Sequence, residues 1–175
     1  MLKTLQRIVQ DVSSAQNLPE ALSILVQHIS DATQTQAVAA YLIDNQNAEY
    51  VLMAVSGLNQ DAVGLVRLSL DQGLIGLVGR REEPINLDDA PSHADFFQDS
   101  IVGEEELKAF LGVPIIHQRR LYGVLTLQQE EQRRFDESEE AFLVTLAAQL
   151  GSVIAHSEAT GELATLVHSH YNHDE

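Results

Sequence analysis

The spacing of hydrophobic residues divides the chain into helical and extended segments. Near the N-terminus these residues recur every three to four positions, the period of an amphipathic helix. They are Leu2, Leu5, Ile8 or Val9, and Val12. The stripe predicts a helix that ends near Ser13. Asn17 can act as the N-cap of a second helix, whose first turn tolerates Pro19.

From Ala37 the hydrophobic period changes from about 3.6 residues to about 2, which is typical of strands. Alternation predicts strands over residues 37–43, 50–55 and 66–70, and a polar turn at 44–47 joins the first two. No helical pattern separates these segments. They therefore predict antiparallel pairing, because parallel strands need long crossover connections.

A short helix is predicted over residues 73–81, with Asp71 as its cap. Its glycines stand at every third position, Gly73, Gly76 and Gly79. Because glycine inside a helix costs about 1 kcal/mol relative to alanine, its backbone must approach the sheet or a ligand closely, and packing is the favoured explanation. Residues 84–87 then predict an edge strand, since Pro84 has no amide hydrogen for a central ladder.

The polar stretch over residues 88–106 is long for a connection, and long ordered loops often close binding sites. Phe96 and Phe97 within it predict a lid. Two strongly apolar strands follow over residues 110–116 and 121–127, joined by a hairpin turn, and we expect them at the centre of the sheet.

The last predicted helix begins with Asp136 and Glu139, which have the spacing of a capping box. Its hydrophobic stripe runs through Leu143 and Leu150, and the pattern continues toward Leu166. The order of elements is neither an alternation of strands and helices nor a run of strands alone. It predicts an α+β fold with one central antiparallel sheet.

Length, composition and charge narrow the class of protein. A chain of 175 residues with 45% hydrophobic composition fits one globular domain. The net charge of -16 opposes docking onto nucleic acid or anionic lipid, so neither is an expected partner. The chain has no apolar run of the roughly 20 residues that span a bilayer and no signal-peptide pattern at its N-terminus. We therefore expect a cytoplasmic location.

Catalytic and metal-binding chemistry find little support in the residues. The chain has no cysteine, which excludes thiol nucleophiles, thiolate metal sites and thioether cofactor attachment. It also lacks a nucleophile elbow, a Walker loop and a His-Glu-x-x-His motif. We predict no catalytic residues, no cofactor and no metal site. Asp88, Asp89 and His93 are interpreted as a solvated acidic loop, and His168, His170 and His173 as part of a polar tail without fixed geometry.

Four motifs in order resemble the GAF family, and within it the N-terminal GAF domain of nitrogen-related phosphotransferase system enzymes I. They are LDQGLIGLVGR over residues 70–80, EPINL over 83–87, AFLGVPII over 109–116 and FDESEEAFLVTL over 135–146. The resemblance covers residues 1 to about 158. It implies one GAF sensory domain over residues 1–160, followed by a tail or linker over 161–175 toward a phosphotransfer region absent from this chain.

The resemblance further implies a six-stranded antiparallel sheet, with dimer-forming helices on one side and a pocket under the lid on the other. Carried onto this chain, the pocket would be lined by Tyr41, Leu70, Gly73, Ile75, Val78, Asn86, Asp88, Phe96, Phe110 and Gly112. Asn86 and Asp88 are its polar candidates, and a mainly space-filling role for the whole set is the alternative. Parent enzymes of this kind transfer phosphate from phosphoenolpyruvate to a phosphocarrier protein, and nitrogen status, with glutamine as a proposed signal, is thought to control them.

Three functions follow as hypotheses. The first is a regulatory sensor of a small-molecule effector, glutamine or another nitrogen-status metabolite, that controls phosphotransfer by a parent enzyme. The second is a ligand-free interaction module, a homodimer in which stripes Leu2/Leu5/Val9 and Leu143/Leu150/Val153 of the terminal helices pair about a two-fold axis. The third is a docking surface for a phosphocarrier or another regulator. The acidic face of the chain would steer a basic partner toward it.

Overall fold

The computed structural model describes residues 2–97 and 107–168. In those ranges the helices are α1 (Leu2–Ser13), α2 (Leu18–Thr33), α3 (Gly73–Arg81), α4 (Glu137–Ala159) and α5 (Glu162–His168). The strands are β1 (Ala37–Asp44), β2 (Glu49–Ser56), β3 (Arg67–Ser69), β4 (Ile85–Leu87), β5 (Ala109–His117) and β6 (Arg120–Gln129). Short 3-10 turns stand at Gln60–Ala62 and Ala90–Ser92.

The strands form one antiparallel sheet in the order β3-β2-β1-β6-β5-β4. This confirms the α+β class and the six-stranded sheet. Strand β4, which Pro84 precedes, lies at an edge as predicted. The expectation that the β5–β6 hairpin forms the centre was wrong in part: β6 is central, but its partner there is β1, and β5 lies next to the edge.

The sheet separates two hydrophobic cores. Alternate residues of β1 face opposite sides, so Val38, Ala40 and Leu42 pack with helices α1, α2, α4 and α5. Ala39 and Tyr41 pack with α3 and the segment that follows β2. Because both faces are covered, all eight residues of β1 are buried. This double coverage explains why the sheet strands read as nearly continuous apolar runs.

Local capping signals in the sequence predict the starts of two helices. The Asn17 side chain accepts a hydrogen bond from the Glu20 amide at 2.9 Å at the start of α2. Asp136 and Glu139 form the predicted capping box of α4. For α3 the prediction was wrong, because the N-cap residue is Gln72, whose side chain makes no capping hydrogen bond, while Asp71 is solvent-exposed.

Helix α4 ends at Ala159 instead of continuing toward Leu166 as predicted. Gly161 has a φ of 84°, in the left-handed region that stops a helix, and α5 starts at the next residue. The predicted domain boundary at residue 160 falls in this turn. Beyond it, Leu163 and Val167 of α5 are buried in the helix-side core. The prediction that His168 has no fixed geometry was wrong, because this residue ends α5 and lies beside Asp44. His170 and His173 of the predicted tail lie outside the described residues.

The end of α5 is attached to the sheet through the buried carboxylate of Asp44 at the end of β1. His168 Nε2 lies 2.5 Å from Asp44 Oδ1, and Arg67 Nη1 donates to Asp44 Oδ2 at 3.0 Å. Asn47 donates to the same carboxylate from its side chain at 2.7 Å. Burial raises the pKa of Asp44, but the hydrogen bonds from Asn47, Arg67 and His168 outweigh it, so the pKa lies below its ordinary value of 3.8.

We expect the contribution of Asp44 to stability to be lost on the acid side. Because the folded pKa is lowered, the contribution is fully present above pH 3.8 and disappears as pH falls through the lower folded pKa. Urea denaturation gives the free energy of unfolding of the chain and of Asp44→Asn at each pH from neutral to about pH 3. The difference between the two free energies measures the contribution of Asp44. A difference that stays constant over this range would contradict the assignment.

No helix in residues 2–97 and 107–168 combines the length and hydrophobicity that crossing a bilayer requires.

Candidate functional site

A cavity lies on the α3 side of the sheet, beneath the start of the predicted lid. Its walls come from β1, β3, β5 and β6, from the first turn of α3 and from the lid. The lining residues are Tyr41, Val66, Leu68, Gly73, Leu74, Ile75, Phe96, Phe97, Phe110 and Gln128. None of these side chains carries a carboxylate, an imidazole or an amine. The lining is therefore uncharged and mostly apolar.

The lid nearly fills the cavity in this conformation. The cavity volume is about 30 Å³, which is room for about two water molecules, whereas ligand pockets usually measure about 300–1,000 Å³. Phe97 covers the entrance with 45% of its surface exposed, and a Cβ on Gly73 would stand 3.2 Å from the Cβ of Phe97. A molecule of the size of a metabolite fits this cavity only if Phe96 and Phe97 move outward.

Strand alternation explains why these particular side chains converge. Tyr41 lies between Ala40 and Leu42, which face the helices, so its ring faces the cavity. Phe110 and Gln128 are direct cross-strand partners on β5 and β6 and share that face. The polar groups of the cavity, the Tyr41 phenol and the Gln128 amide, thus come from the rigid centre of the sheet.

Gln128 is a buried polar residue that the sequence analysis did not identify. Only 6% of its surface is exposed, and its side chain lines the cavity. The signal was available, since Gln128 occupies an inward-facing position next to the apolar run that ends β6.

The structure brings together half of the predicted pocket residues: Tyr41, Gly73, Ile75, Phe96 and Phe110. The other predicted residues, Leu70, Val78, Asn86, Asp88 and Gly112, do not line the cavity. Val78 is fully buried in the α3-side core. A Cβ on Gly112 would stand 2.8 Å from the Phe110 ring, so Gly112 makes room for a cavity residue instead of contacting the cavity itself.

Asn86 has a structural role in place of the predicted polar contact to a ligand. Its Nδ2 donates to the carbonyl of Phe135 at 2.8 Å, and its Oδ1 accepts from the Phe135 amide at 3.1 Å. The side chain thereby joins β4 to the segment that leads into α4. Asp88, the other predicted polar candidate, is exposed to solvent.

The described part of the lid is held by local contacts. The Ala90 amide donates to the Lys108 carbonyl at 2.7 Å, and the Asp95 amide donates to His93 Nδ1 at 3.0 Å. Asp89 accepts from the Ser92 hydroxyl at 2.6 Å. Over residues 2–97 and 107–168 no three His, Asp or Glu side chains are arranged to hold a metal ion. The rest of the predicted lid, residues 98–106, lies outside the described residues.

Close packing explains two of the three glycines of α3, Gly76 and Gly79, as predicted. A Cβ on Gly76 would stand 2.8 Å from the Leu70 carbonyl oxygen. A Cβ on Gly79 would stand 1.8 Å from the hydroxyl of Tyr50 on β2. Burial against this helix also raises the pKa of Tyr50 to about 12. Gly73 differs, since its φ of 67° starts the helix in the left-handed region.

Comparison with known proteins assigns the fold to a family. The GAF domain family model matches residues 17–154, which includes all six strands and most of α4. The chain belongs to the GAF domain family. The order of helices and strands, with helices on one face and a cavity on the other, is therefore that of a GAF domain.

Relatives place this GAF domain near one group of proteins. It is 49% identical over 160 residues to a phosphoenolpyruvate-dependent phosphotransferase system protein of Salmonella typhimurium, covering 91% of this chain and 21% of that protein. The chain thus spans about a fifth of the length of this curated relative. It superposes on the GAF domain of a phosphoenolpyruvate-protein phosphotransferase from Coxiella burnetii with a TM-score of 0.88 and 49% identity, covering 91% and 95% of the two chains. The Acinetobacter counterpart gives a TM-score of 0.83 and 44% identity, covering 91% and 96%.

The predicted dimer stripes are only partly available at the surface. Leu143 and Leu150 are buried in the helix-side core of the same chain, with 0% and 1% of their surface exposed. They cannot pair across a two-fold axis as predicted, because the stripe of α4 faces its own sheet. Val9 and Val153 are partly buried and line a groove between α1 and α4.

Proposed function

We propose that this GAF domain binds a small-molecule effector in the cavity under Phe96 and Phe97, and that binding regulates phosphoenolpyruvate-dependent phosphotransfer by a longer protein containing it. The observation that supports binding is the buried Gln128 side chain, which lines a mostly apolar cavity beside Tyr41. An effector that hydrogen-bonds this amide would be oriented by it, since a few polar groups fix the orientation of a ligand in a mostly apolar pocket. The link to phosphotransfer rests on the kinship with phosphotransferase system proteins.

The cavity favours an uncharged contact over an ion pair. An effector that reaches Gln128 places one hydrogen-bonding group beside the amide and the Tyr41 ring, and its apolar part against Leu68, Ile75 and Phe110. Any charged group of the effector would point toward the lid, where solvent is near. Glutamine and other nitrogen-status metabolites remain our predicted effectors.

The panel that tests this proposal contains amino acids including L-glutamine, 2-oxoglutarate, purines and cyclic nucleotides. Binding to the folded state raises the unfolding temperature as RT ln(1 + [L]/Kd), which is about 2.7 kcal/mol at a hundredfold excess over Kd. A shift with one compound identifies the effector class. The absence of a shift with every compound at saturation would contradict the sensor.

We expect Gln128→Met to abolish that shift without unfolding the chain. Methionine keeps the approximate volume of the side chain, which a core position tolerates, and removes the amide. Gln129→Met is the matched control, since Gln129 is the next residue on β6, is also buried, has an unpartnered Nε2 and faces the other side of the sheet. Calorimetric titration with the compound from the panel should give wild-type affinity for Gln129→Met and at least a tenfold loss, about 1.4 kcal/mol, for Gln128→Met. Equal affinities would remove Gln128 from the site.

A ligand-free homodimer is the second candidate function. The partly buried Leu5 and Val9 of α1 and the 42% exposed Val144 of α4 favour it, because they place apolar surface on the helix side. Sedimentation gives the oligomeric state of the chain, and together with the effector response in the compound panel it distinguishes the two candidate functions. A dimer without any effector response favours this function, and a monomer that responds to an effector favours the sensor.

A phosphocarrier partner steered by the acidic charge is expected to show strongly salt-dependent affinity.

A further inference from the structure

Strand β3 contacts the proposed cavity and the last helix at the same time. Val66 and Leu68 line the cavity, and Arg67 between them extends toward the other side of the strand, as alternation requires. Three residues form β3, and it pairs only with β2 on the edge of the sheet. Such a short edge strand is held by few hydrogen bonds and can shift without disrupting the rest of the sheet.

Arg67 holds the C-terminal turn of α5. Its Nη2 donates to the Val167 carbonyl at 2.5 Å, and its Nη1 lies 3.0 Å from Asp44 Oδ2 and 3.5 Å from Glu49 Oε1. His168 meets the same Asp44 carboxylate. An arginine on the terminal carbonyls of a helix also interacts favourably with the helix dipole. The position of the C-terminal turn of α5 therefore depends in part on where β3 places the Arg67 guanidinium.

The opposite end of α5 is also anchored. Glu162 Oε1 accepts from the Leu18 amide at the start of α2 at 2.5 Å. Release of the Arg67 contacts would thus remove one attachment of the C-terminal turn of α5, while His168 still meets Asp44 and the first turn stays attached. The chain continues from that C-terminal turn into residues 169–175.

We propose that Arg67 is a mechanical link between the cavity and α5, in which displacement of Val66 and Leu68 by an effector moves the guanidinium and loosens the end of α5. The inference rests on the proposed function for its biological meaning. It gives the sensor a route for its output that runs from the cavity through one edge strand to the chain that follows α5. The two states it requires are α5 docked and α5 released at Val167.

Hydrogen exchange on the whole chain tests the link without any effector. Leu68→Ala and Ile75→Ala remove the same number of carbon atoms from the same cavity, and the two side chains are similarly buried, at 6% and 7% exposed. Only Leu68 lies on the strand that carries Arg67. We expect Leu68→Ala to speed exchange of the α5 amides relative to those of α4 by about tenfold, within the usual range of allosteric coupling, and Ile75→Ala to leave this ratio unchanged.

The second arm of the experiment places both substitutions in an Arg67→Lys background. Lysine keeps a positive charge beside Asp44 but has one nitrogen and cannot also reach Val167 in the same geometry. The α5 amides should exchange faster in Arg67→Lys alone, and Leu68→Ala should then add less than about twofold, because coupled changes are not additive. An undiminished response to Leu68→Ala in that background, or equal responses to Leu68→Ala and Ile75→Ala, would overturn the link.

Failure of the link and failure of the proposed function give different results. A chain that binds no compound in the panel can still show the Leu68-specific change in α5, and a chain that binds a compound can show none. If Leu68→Ala does not fold, the pair Leu68→Val and Ile75→Val gives the same comparison with a smaller change in volume.

Discussion

Replacing Arg67 by methionine is expected to lower the free energy of unfolding by about 3 kcal/mol, because it leaves a buried carboxylate without its cationic partner. Asp44 has no exposed side-chain surface, and Arg67 itself is 13% exposed. The methionine retains most of the apolar stem, so the loss comes mainly from the charge. Urea denaturation at neutral pH measures it.

The pH dependence of this loss distinguishes charge from packing. In Arg67→Met the hydrogen bond and charge that help to lower the pKa of Asp44 are gone, so its carboxyl takes up a proton at a higher pH than in the wild type. Protonation removes the penalty of the unpaired charge. The gap between wild type and variant should narrow below about pH 4, and a gap of constant size would indicate lost packing only. Arg67→Lys is the control, with an expected loss of about 1 kcal/mol because the charge remains.

Gly123→Ala is expected to destabilise the chain by about 3 kcal/mol or more, the upper range for an over-packed core. A Cβ at this position would stand 2.0 Å from the backbone oxygen of Tyr41 and 3.2 Å from the Cα of Leu42. Both atoms belong to the backbone of β1, the central partner of β6, and no rotamer change can relieve the contact. The strands must separate, and Tyr41 would move with them.

Gly161→Ala serves as the matched control for this prediction. Gly161 has a φ of 84°, but a Cβ there would meet nothing within 4 Å. Its substitution should cost only the strain of the left-handed conformation, about 1–2 kcal/mol. Chemical denaturation of both variants separates steric exclusion from backbone strain. Equal losses, or a larger loss for Gly161→Ala, would show that close approach of β1 and β6 is not the reason for glycine at position 123.

The predictions that succeeded concern interactions between residues close together in the chain. Asn17 caps α2 through the residue three positions on, and Asp136 and Glu139 complete the box of α4 at the same spacing. Pro84 marks β4 as an edge strand because a missing amide hydrogen is a property of the residue itself. Such signals need no knowledge of the fold.

The predictions that failed concern pairs of residues far apart in the chain. Asn86 is polar and lies beside the lid in the sequence. Both its Nδ2 and its Oδ1, however, form hydrogen bonds with the backbone of Phe135, 49 residues away. The apolar β5 was expected at the centre of the sheet with β6, yet β1 occupies that position because it pairs with both β2 and β6. Leu143 and Leu150 were assigned to a partner chain and pack on their own sheet instead.

The amino-acid sequence by itself determined the α+β class, nearly all helix and strand positions and the GAF family, because hydrophobic period, capping residues and motif order are carried by neighbouring residues. It also placed five of the cavity residues. Tertiary structure alone decided that Gln128 lines the cavity. Gln128 and Gln129 are identical neighbours, and alternation requires only that they face opposite sides. The side of the sheet that holds the cavity depends on how β3, α3 and the lid pack over it. That packing brings together residues that are far apart in the chain, from Tyr41 to Gln128.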